Sequence, residues 1–154
     1  MIALLLALVP LLGTQVTPMK AIDDVLDDFH DAAAKADGPR YFGHFAPRAV
    51  FVGTDASERW TVAEFKAYAD PHFSKGNGWT YIPRDREVHL GPDGRTAWFY
   101  ERLSNAKYGE TRGSGALILV DGHWRIAQYV LSFSIPNGKT AAVLGVLRGP
   151  VPTD

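Results

Sequence analysis

The dipeptide Asp121-Gly122 is the sequence feature that most constrains the fold, because it separates two long segments rich in strand-forming residues. An Asp-Gly pair favours a two-residue hairpin turn, in which both central residues have positive φ. The flanking segments, 111–120 and 123–135, are therefore predicted to pair as antiparallel strands. Two further extended segments, 79–90 and 95–104, precede them and are separated by a turn rich in glycine and proline. The second half of the chain predicts a four-stranded antiparallel meander.

The first half of the chain has helical spacing instead. Between residues 19 and 36, apolar side chains recur at the intervals of one helical face, at Ile22, Val25, Leu26, Phe29, Ala33 and Ala36. The aspartates of this segment lie mainly on the other side, where a solvated face is expected. Thr61 and Glu64 have the spacing of a capping box and predict the start of another helix, which Pro71 is expected to bend or divide. Helices followed by a meander predict an α+β fold, with helices on one face of the sheet.

The composition is that of one soluble globular domain. The chain has 154 residues, of which 46% are hydrophobic and 21% charged, and its formal net charge is −1. No basic stripe is present, so a nucleic-acid-binding function is not expected. The absence of cysteine excludes disulfides, thiolate catalysis and thiolate metal sites from this sequence.

The first residues form an unbroken apolar run, 2–12, which is too short for a stable transmembrane anchor. Its length suits the hydrophobic region of a signal peptide. We therefore predict an export segment at 1–18, a single domain at 19–154, and a periplasmic or secreted location. The alternative is an apolar strand or helix that packs on the domain.

Several short motifs follow one another in an order and spacing typical of one family. They are Phe42-Gly43-His44-Phe45-Ala46-Pro47, Gly53-Thr54-Asp55-Ala56-Ser57-Glu58-Arg59-Trp60, Pro71-His72-Phe73, Arg112-Gly113-Ser114-Gly115 and Gly122-His123-Trp124-Arg125-Ile126. With them, residues 19–136 resemble the SnoaL-like branch of the nuclear transport factor 2-like superfamily. The resemblance implies a cone-shaped, cystatin-like fold in which N-terminal helices pack on a curved antiparallel sheet around a hydrophobic pocket. It also implies frequent dimerisation. Because the superfamily holds isomerases, dehydratases, cyclases and non-catalytic binding domains, the fold does not select a function.

Strand alternation predicts which side chains share a face of the sheet. If both strands leave the hairpin turn without a bulge, Gly115 lies opposite Gln128. If Ser104 pairs with Thr111, three further side chains of the preceding strand join that face. The glycines leave a gap between large neighbours, which is typical of a small-molecule pocket. Alternation does not decide which face looks into the cone, but we favour this one and predict a ligand site lined by Trp60, Tyr68, Trp98, Tyr100, Arg102 and Gln128.

The opposite face of the predicted sheet is also rather apolar. It is predicted to carry Phe99, Tyr129 and a cross-strand ion pair between Glu101 and Arg112. A sheet with two apolar faces needs a second cover, and a second copy of the chain is the simplest candidate. We therefore predict a homodimer through this outer face.

Two residues are candidates for general acid–base catalysis. Asp55, with Glu58 nearby, invites comparison with the ketosteroid isomerases of the superfamily, in which a carboxylate takes a proton from carbon next to a carbonyl. The alternative is that Asp55 caps a turn and that Glu58 pairs with Arg59 or another arginine. His72 could act as a base at the pocket mouth, or it could be an ordinary helix residue. The histidines show no metal-binding spacing, and no metal or cofactor is expected.

Two functions from different classes follow from these observations. The first is an exported, non-catalytic domain that binds a small apolar or amphipathic molecule. The second is a small enzyme of the isomerase, dehydratase or cyclase type, with Asp55 or His72 as base, acting on an apolar ligand that contains a carbonyl group.

Overall fold

A single six-stranded sheet organises the protein in the computed structural model, which describes residues 17–149. Its strands are β1 (Phe45–Val52), β2 (Arg59–Thr61), β3 (Ile82–Leu90), β4 (Thr96–Asn105), β5 (Gly109–Val120) and β6 (His123–Phe133). The order across the sheet is β2-β1-β6-β5-β4-β3, and only the pairing of β1 with β6 is parallel. The predicted meander is therefore present as β3 to β6, and β1 and β2 extend it at the β6 edge.

Helices cover one face of this sheet. They are α1 (Pro18–Ala34), α2 (Gly38–Gly43) and α3 (Val62–Phe73). A further helix, α4 (Thr140–Arg148), follows a 3₁₀ turn (Asn137–Lys139) and has no buried residue. The long helix α1 contacts β3 and β6, whereas α3 contacts β1 and β2. The apolar face predicted for α1 is confirmed, because Ile22, Leu26 and Phe29 are all buried beneath it. The predicted α+β class, with helices on one face of an antiparallel meander, is thus confirmed.

Local sequence accounts for the helix boundaries. The Thr17 hydroxyl caps α1 by accepting from the Lys20 N–H, and Thr61 and Glu64 form both hydrogen bonds of the predicted capping box at the start of α3. Pro71 does not divide α3. It lies in the last turn of the helix, which continues to Phe73.

The hairpin between β5 and β6 has the predicted turn but a different register. Asp121 and Gly122 have φ of 49° and 78°, as a two-residue turn of this kind requires. The ladder runs without interruption to the pair of Leu117 with Ile126, after which Ala127 is an extra residue on β6. This β-bulge shifts every later pair by one residue. Gly115 therefore pairs with Tyr129, and the predicted pairing with Gln128 was wrong.

A second register correction concerns β4 and β5. Asn105 pairs with Gly109, whose φ of 71° closes a tight connection between the strands, and Thr111 consequently pairs with Leu103 rather than Ser104. Because side chains alternate along a strand, a shift of one residue exchanges the two faces of β4. The side chains facing the helices are Ala97, Phe99, Glu101 and Leu103, and those facing away include Trp98, Tyr100 and Arg102.

Residues 1–16 and 150–154 lie outside the described part, so the predicted export segment falls almost wholly beyond it. Among residues 17–149, no helix is both long and apolar enough to cross a membrane.

Candidate functional site

A cavity of about 180 Å³ opens between the helices and the β1–β2 edge of the sheet. Eleven of the described residues line it, seven of them aromatic, and we call it the aromatic cavity. Its lining comprises Phe51, Gly53, Thr54, Glu58, Trp60, Phe65, Tyr68, Trp79, Tyr81, Tyr108 and Leu131. Concave sites with mostly apolar walls and few polar groups are typical of small-molecule binding.

The aromatic wall is held by contacts between three elements. Phe51 of β1 stacks on Phe65 of α3 with ring centroids 4.0 Å apart, and Trp60 of β2 lies 5.3 Å from Phe65. Tyr68, one helical turn after Phe65, stacks on Trp60 at 5.0 Å. The capping box fixes the start of α3 directly after β2, so these rings are placed by backbone geometry as well as by their own packing.

Among the described residues, Glu58 supplies the only carboxylate of the cavity, from the turn between β1 and β2. The Gly53 N–H donates to the Glu58 backbone carbonyl at 2.8 Å, and the Asp55 N–H donates to Glu58 Oε2 at 3.1 Å. A Cβ at position 53 would overlap the Glu58 carboxylate, so a side chain there would displace that carboxylate. No lysine, arginine or histidine lines the aromatic cavity within the described part of the chain.

Tyr81 lines the same cavity as this carboxylate. Burial raises the pKa of Tyr81 to about 12, with smaller contributions from Tyr108, Glu58 and Tyr68. The phenol therefore stays protonated at any physiological pH and remains able to donate a hydrogen bond.

A second, deeper cavity of about 20 Å³ lies beneath the first. We call it the floor cavity. It shares Phe51, Trp79, Tyr81 and Leu131 with the aromatic cavity, and its remaining lining consists of Phe29, His30, Ala33, Tyr41 and Tyr129. Its volume suffices for about one water molecule.

Beside the floor cavity, three side chains converge on Glu101, which is completely buried. His30 Nε2 lies 2.7 Å and the Tyr129 hydroxyl 2.9 Å from Glu101 Oε1, and Arg86 Nε donates to Oε2 at 2.9 Å. We call these four residues the buried network. Burial acts to raise the pKa of Glu101, but the hydrogen bond and charge of His30, with the charge of Arg86, outweigh it and lower the pKa. Glu101 is therefore ionised at neutral pH.

A bend in β3 brings Arg86 to this position. The register of β3 on β4 shifts between Arg84 and Glu87, and Asp85 in that interval has a φ of 48°. Arg86 is thereby directed inward, where it also donates to Asp27 of α1 at 2.7 Å. The predicted ion pair of Glu101 with Arg112 is wrong, because the corrected register places these residues on opposite faces of the sheet.

The two predicted bases lie outside both cavities. Asp55 is exposed and accepts hydrogen bonds from the Ser57 side chain and N–H, which lower its pKa. It caps a turn, as the alternative interpretation held. His72 is exposed near the end of α3, with its ring 5.5 Å from that of Tyr68. Neither side chain lines the aromatic cavity or the floor cavity. Glu58 contacts the Asp55 backbone rather than an arginine.

The six predicted ligand-binding residues divide into two groups. Trp60 and Tyr68 line the aromatic cavity. The other four, Trp98, Tyr100, Arg102 and Gln128, project from the outer face of the sheet, because the predicted register lacked the Ala127 bulge and mispaired β4 with β5. Arg102 is bound there to Asp85 and Glu110, at 3.1 and 2.6 Å.

The buried network was not predicted from the sequence, although a signal for two of its members was present. His30 lies four residues after Leu26 and eight after Ile22, so it continues the buried face of α1. Glu101 alternates with Phe99 and Leu103, both buried. A polar side chain at an apolar position of a periodic pattern marks a buried hydrogen-bonded group.

The family model of the SnoaL-like domain matches residues 22–136, which is most of the chain and includes both cavities and the buried network. No match was found among curated proteins. In residues 17–149, no three histidine, aspartate or glutamate side chains are grouped as a metal site would require.

Solved structures show the same fold at low sequence identity. A domain of unknown function with a cystatin-like fold from Nostoc punctiforme superposes with a TM-score of 0.68 at 13% identity, covering 89% of this chain and 90% of that one. A nuclear transport factor 2-like protein of unknown function from Pseudomonas putida gives 0.62 at 14%, covering 75% and 86%. A proposed scytalone dehydratase from Novosphingobium aromaticivorans gives 0.64 at 12%, covering 76% and 84%. At these identities the likeness concerns the fold alone.

Proposed function

We propose a small-molecule-binding function for this chain, which belongs to the SnoaL-like domain family. The observation that carries the proposal is the aromatic cavity, with about 180 Å³ enclosed by seven aromatic side chains. This space is smaller than most drug-sized sites, so it suits a compact, largely apolar molecule. The binding groups are Trp60, Phe65 and Tyr68 on the wall and Glu58 at the turn.

Geometry favours binding without catalysis. Acid–base catalysis needs a titratable group within hydrogen-bond reach of the bound molecule. Glu58 lines the aromatic cavity, but its described lining holds no histidine, lysine or arginine to form an acid–base pair with that carboxylate. Asp55 and His72 do not line the cavity, and His30 lines only the floor cavity, which has room for about one water. The ionised Glu101 is occupied by three donors, and its lowered pKa makes it a poor proton acceptor.

The test is to obstruct the aromatic cavity. Thr54 is exposed at its edge, so Thr54→Phe adds bulk there with little expected cost to folding, and Thr140→Phe, at the start of α4, is the matched control. Native mass spectrometry on purified protein would detect co-purifying molecules, and calorimetric titration with indole would measure affinity. We expect binding in the wild type and the control and its loss in Thr54→Phe. Equal binding by all three would remove the cavity as the site.

A second candidate function is an acid–base enzyme that uses His30. The observation favouring it is that His30 lines the floor cavity and is oriented by Glu101 at 2.7 Å, as a positioned base would be. The floor cavity shares four walls with the aromatic cavity, so rotation of Trp79 or Tyr81 would join the two spaces. A ligand with a carbonyl group could then present an adjacent C–H bond to His30.

Proton exchange on a simple ketone separates this enzyme from a binding domain. The experiment incubates 1-indanone with the protein in D₂O and follows loss of the proton signal next to the carbonyl by NMR. An enzyme of this kind would accelerate the exchange, and His30→Gln would abolish the acceleration. Binding of the ketone with exchange at the buffer rate would leave only the binding function.

For assembly, we propose a homodimer through the outer face of the sheet. Trp98 of β4 is 52% exposed on that face, and its ring stacks on His89 of β3 at 5.5 Å. Partly buried apolar residues, among them Val130 and Ile118, surround the area. Sedimentation should give a dimer for the wild type and a monomer for Trp98→Lys. A wild-type monomer at high concentration would reject the proposal.

Export through residues 1–18 is also proposed, on the apolar run of the sequence. Expression in a bacterial host followed by periplasmic fractionation and N-terminal sequencing tests it. Recovery of uncleaved protein in the cytosol alone would contradict export.

A further inference from the structure

The aromatic cavity combines π-electron-rich walls with one negative charge, and this combination favours a positively charged ligand. Its polar groups include the Glu58 carboxylate and the hydroxyls of Tyr68, Tyr81 and Tyr108, and its described lining has no cationic side chain. Resting on the proposed binding function, we infer that the ligand is a small organic cation, with a methylated or primary ammonium group held between Glu58 and the aromatic rings. Aromatic side chains attract a cation through their quadrupole, and a nearby carboxylate adds direct attraction.

The carboxylate of Glu58 is available for such a ligand. Only Oε2 receives a hydrogen bond in the described part of the chain, from the Asp55 N–H at 3.1 Å, and no described salt bridge involves Glu58. Other carboxylates near basic groups are paired, including Asp28 with Arg40 and Glu110 with Arg102. Glu58 is half-buried, so solvent screens its charge less than that of an exposed group.

The surroundings of Tyr81 support this interpretation. Its phenol lines the same cavity as Glu58, Tyr68 and Tyr108, so these polar side chains border one space. An anionic ligand would be repelled by the Glu58 carboxylate. A cation would instead be attracted by that carboxylate and by the faces of the rings.

The rim of the cavity already holds a cation on an aromatic ring. Lys107 Nζ lies 4.9 Å from the centroid of Tyr108, one of the lining residues. Lys107 itself lines the adjacent groove along residues 78–82 and 104–108, not the aromatic cavity. Lys107 therefore occupies one face of the Tyr108 ring, and a ligand ammonium group would contact the other rings of the cavity.

A pair of isosteric probes measures the charge preference directly. Choline and 3,3-dimethylbutan-1-ol have the same shape, but a quaternary nitrogen in the first replaces a carbon in the second. Calorimetric titration of the full chain with each gives the ratio of their Kd values. We expect choline to bind about tenfold more tightly, as a cation–π contact with a carboxylate nearby implies.

The matched variants are Glu58→Gln and Glu87→Gln. The amide introduced by Glu58→Gln would keep an oxygen for the Asp55 N–H while removing the charge, and Glu87 is an exposed carboxylate on β3 whose loss controls for net charge. The preference should fall to about threefold in Glu58→Gln, which keeps the aromatic rings, and persist in Glu87→Gln, with circular dichroism verifying the fold of both.

The outcomes separate this inference from the proposed function. Equal binding of the two probes, a preference for the neutral one, or a preference unchanged in Glu58→Gln would overturn the cation assignment. If neither probe binds but indole does, the cation assignment also fails while the binding function stands. If none of the three binds, both fail.

Discussion

Glu101 and Glu58 are carboxylates of the same domain, yet their surroundings are opposite. Glu101 is completely buried and its two oxygens accept from His30, Tyr129 and Arg86. Glu58 is half-buried in a turn, accepts from one backbone N–H and faces an aromatic cavity. The first carboxylate is fully engaged within the protein, and the second has an oxygen left for a molecule from outside.

This difference distinguishes a carboxylate that stabilises the fold from one that is open to a ligand. A buried ion with all its partners in place fixes α1 on the sheet and cannot change partners without a large penalty. A partly exposed ion with few partners contributes little to stability and can bind a ligand at low cost. The most buried carboxylate, Glu101, is therefore bound within the protein. The proposed binding function rests instead on Glu58, which lines the aromatic cavity.

Removal of the Glu101 charge should have the largest effect. We expect Glu101→Gln to lower the free energy of unfolding by about 3 kcal/mol, because Arg86 would remain buried without its full counter-charge. Glu58→Gln should change it by less than about 0.5 kcal/mol. Urea unfolding monitored by circular dichroism measures both. Similar losses of unfolding free energy in Glu101→Gln and Glu58→Gln would contradict this distinction between the two carboxylates.

Gly113 tests how closely the buried network is packed. It lies across from Glu101, and a Cβ there would overlap the Tyr129 hydroxyl and lie 2.8 Å from Glu101 Oε1. We expect Gly113→Ala to cost about 2 kcal/mol through overpacking. In Gly138→Ala the new Cβ meets nothing within 4 Å, so that variant should be near neutral. Thermal unfolding compares them, and equal melting temperatures would mean that the network relaxes freely.

Acid should weaken the buried network around Glu101 more than the turn that holds Glu58. Because the folded-state pKa of Glu101 is lowered, its stabilisation is complete above the ordinary pKa near 4.5 and is lost as pH falls through the lower folded value. Asp28, with a pKa lowered chiefly by Arg40, adds to the same loss. Stability measured from pH 6 to about pH 2 should fall less steeply in Glu101→Gln than in the wild type. Parallel curves would exclude Glu101 as a source of the acid sensitivity.

The smallest effects are expected at the two bases that the sequence suggested. An asparagine at position 55 can still accept from Ser57, and His72 is exposed on α3, away from both cavities. Asp55→Asn and His72→Ala should therefore bind indole with the wild-type affinity. A loss of more than about tenfold in either would return that residue to the site.

Most of the fold could be predicted from sequence because it rests on local patterns. The helical period of α1, the capping box of α3 and the Asp-Gly turn each depend on a few neighbouring residues. The cavity lining could not be predicted to the same extent. It depends on strand register, and neither the Ala127 bulge nor the connection at Gly109 has a composition that distinguishes it from the alternatives.

Long-range contacts account for the rest of what was missed. Arg86 and Glu101 meet because a bend in β3 turns one side chain inward, and His30 reaches Glu101 from 71 residues away in the sequence. Trp60 and Tyr68 line the aromatic cavity because they lie on either side of the capping box, whose local geometry fixes their positions.

The Ala127 bulge determines how deletions in β6 would affect the side chains that face inward. The inward side chains of β6 are Trp124 and Ile126 before the bulge and Tyr129 after it, so the usual interval of two becomes three at this point. Deletion of Ala127 would restore plain alternation and leave Tyr129 opposite Gly115. Loss of a second residue from the same stretch would turn Tyr129 outward and bring Val130 beside the cavities. β6 can therefore lose one residue, Ala127, without a change in which later side chains face inward. Loss of a further residue would change the side chains that line the interior, without any substitution.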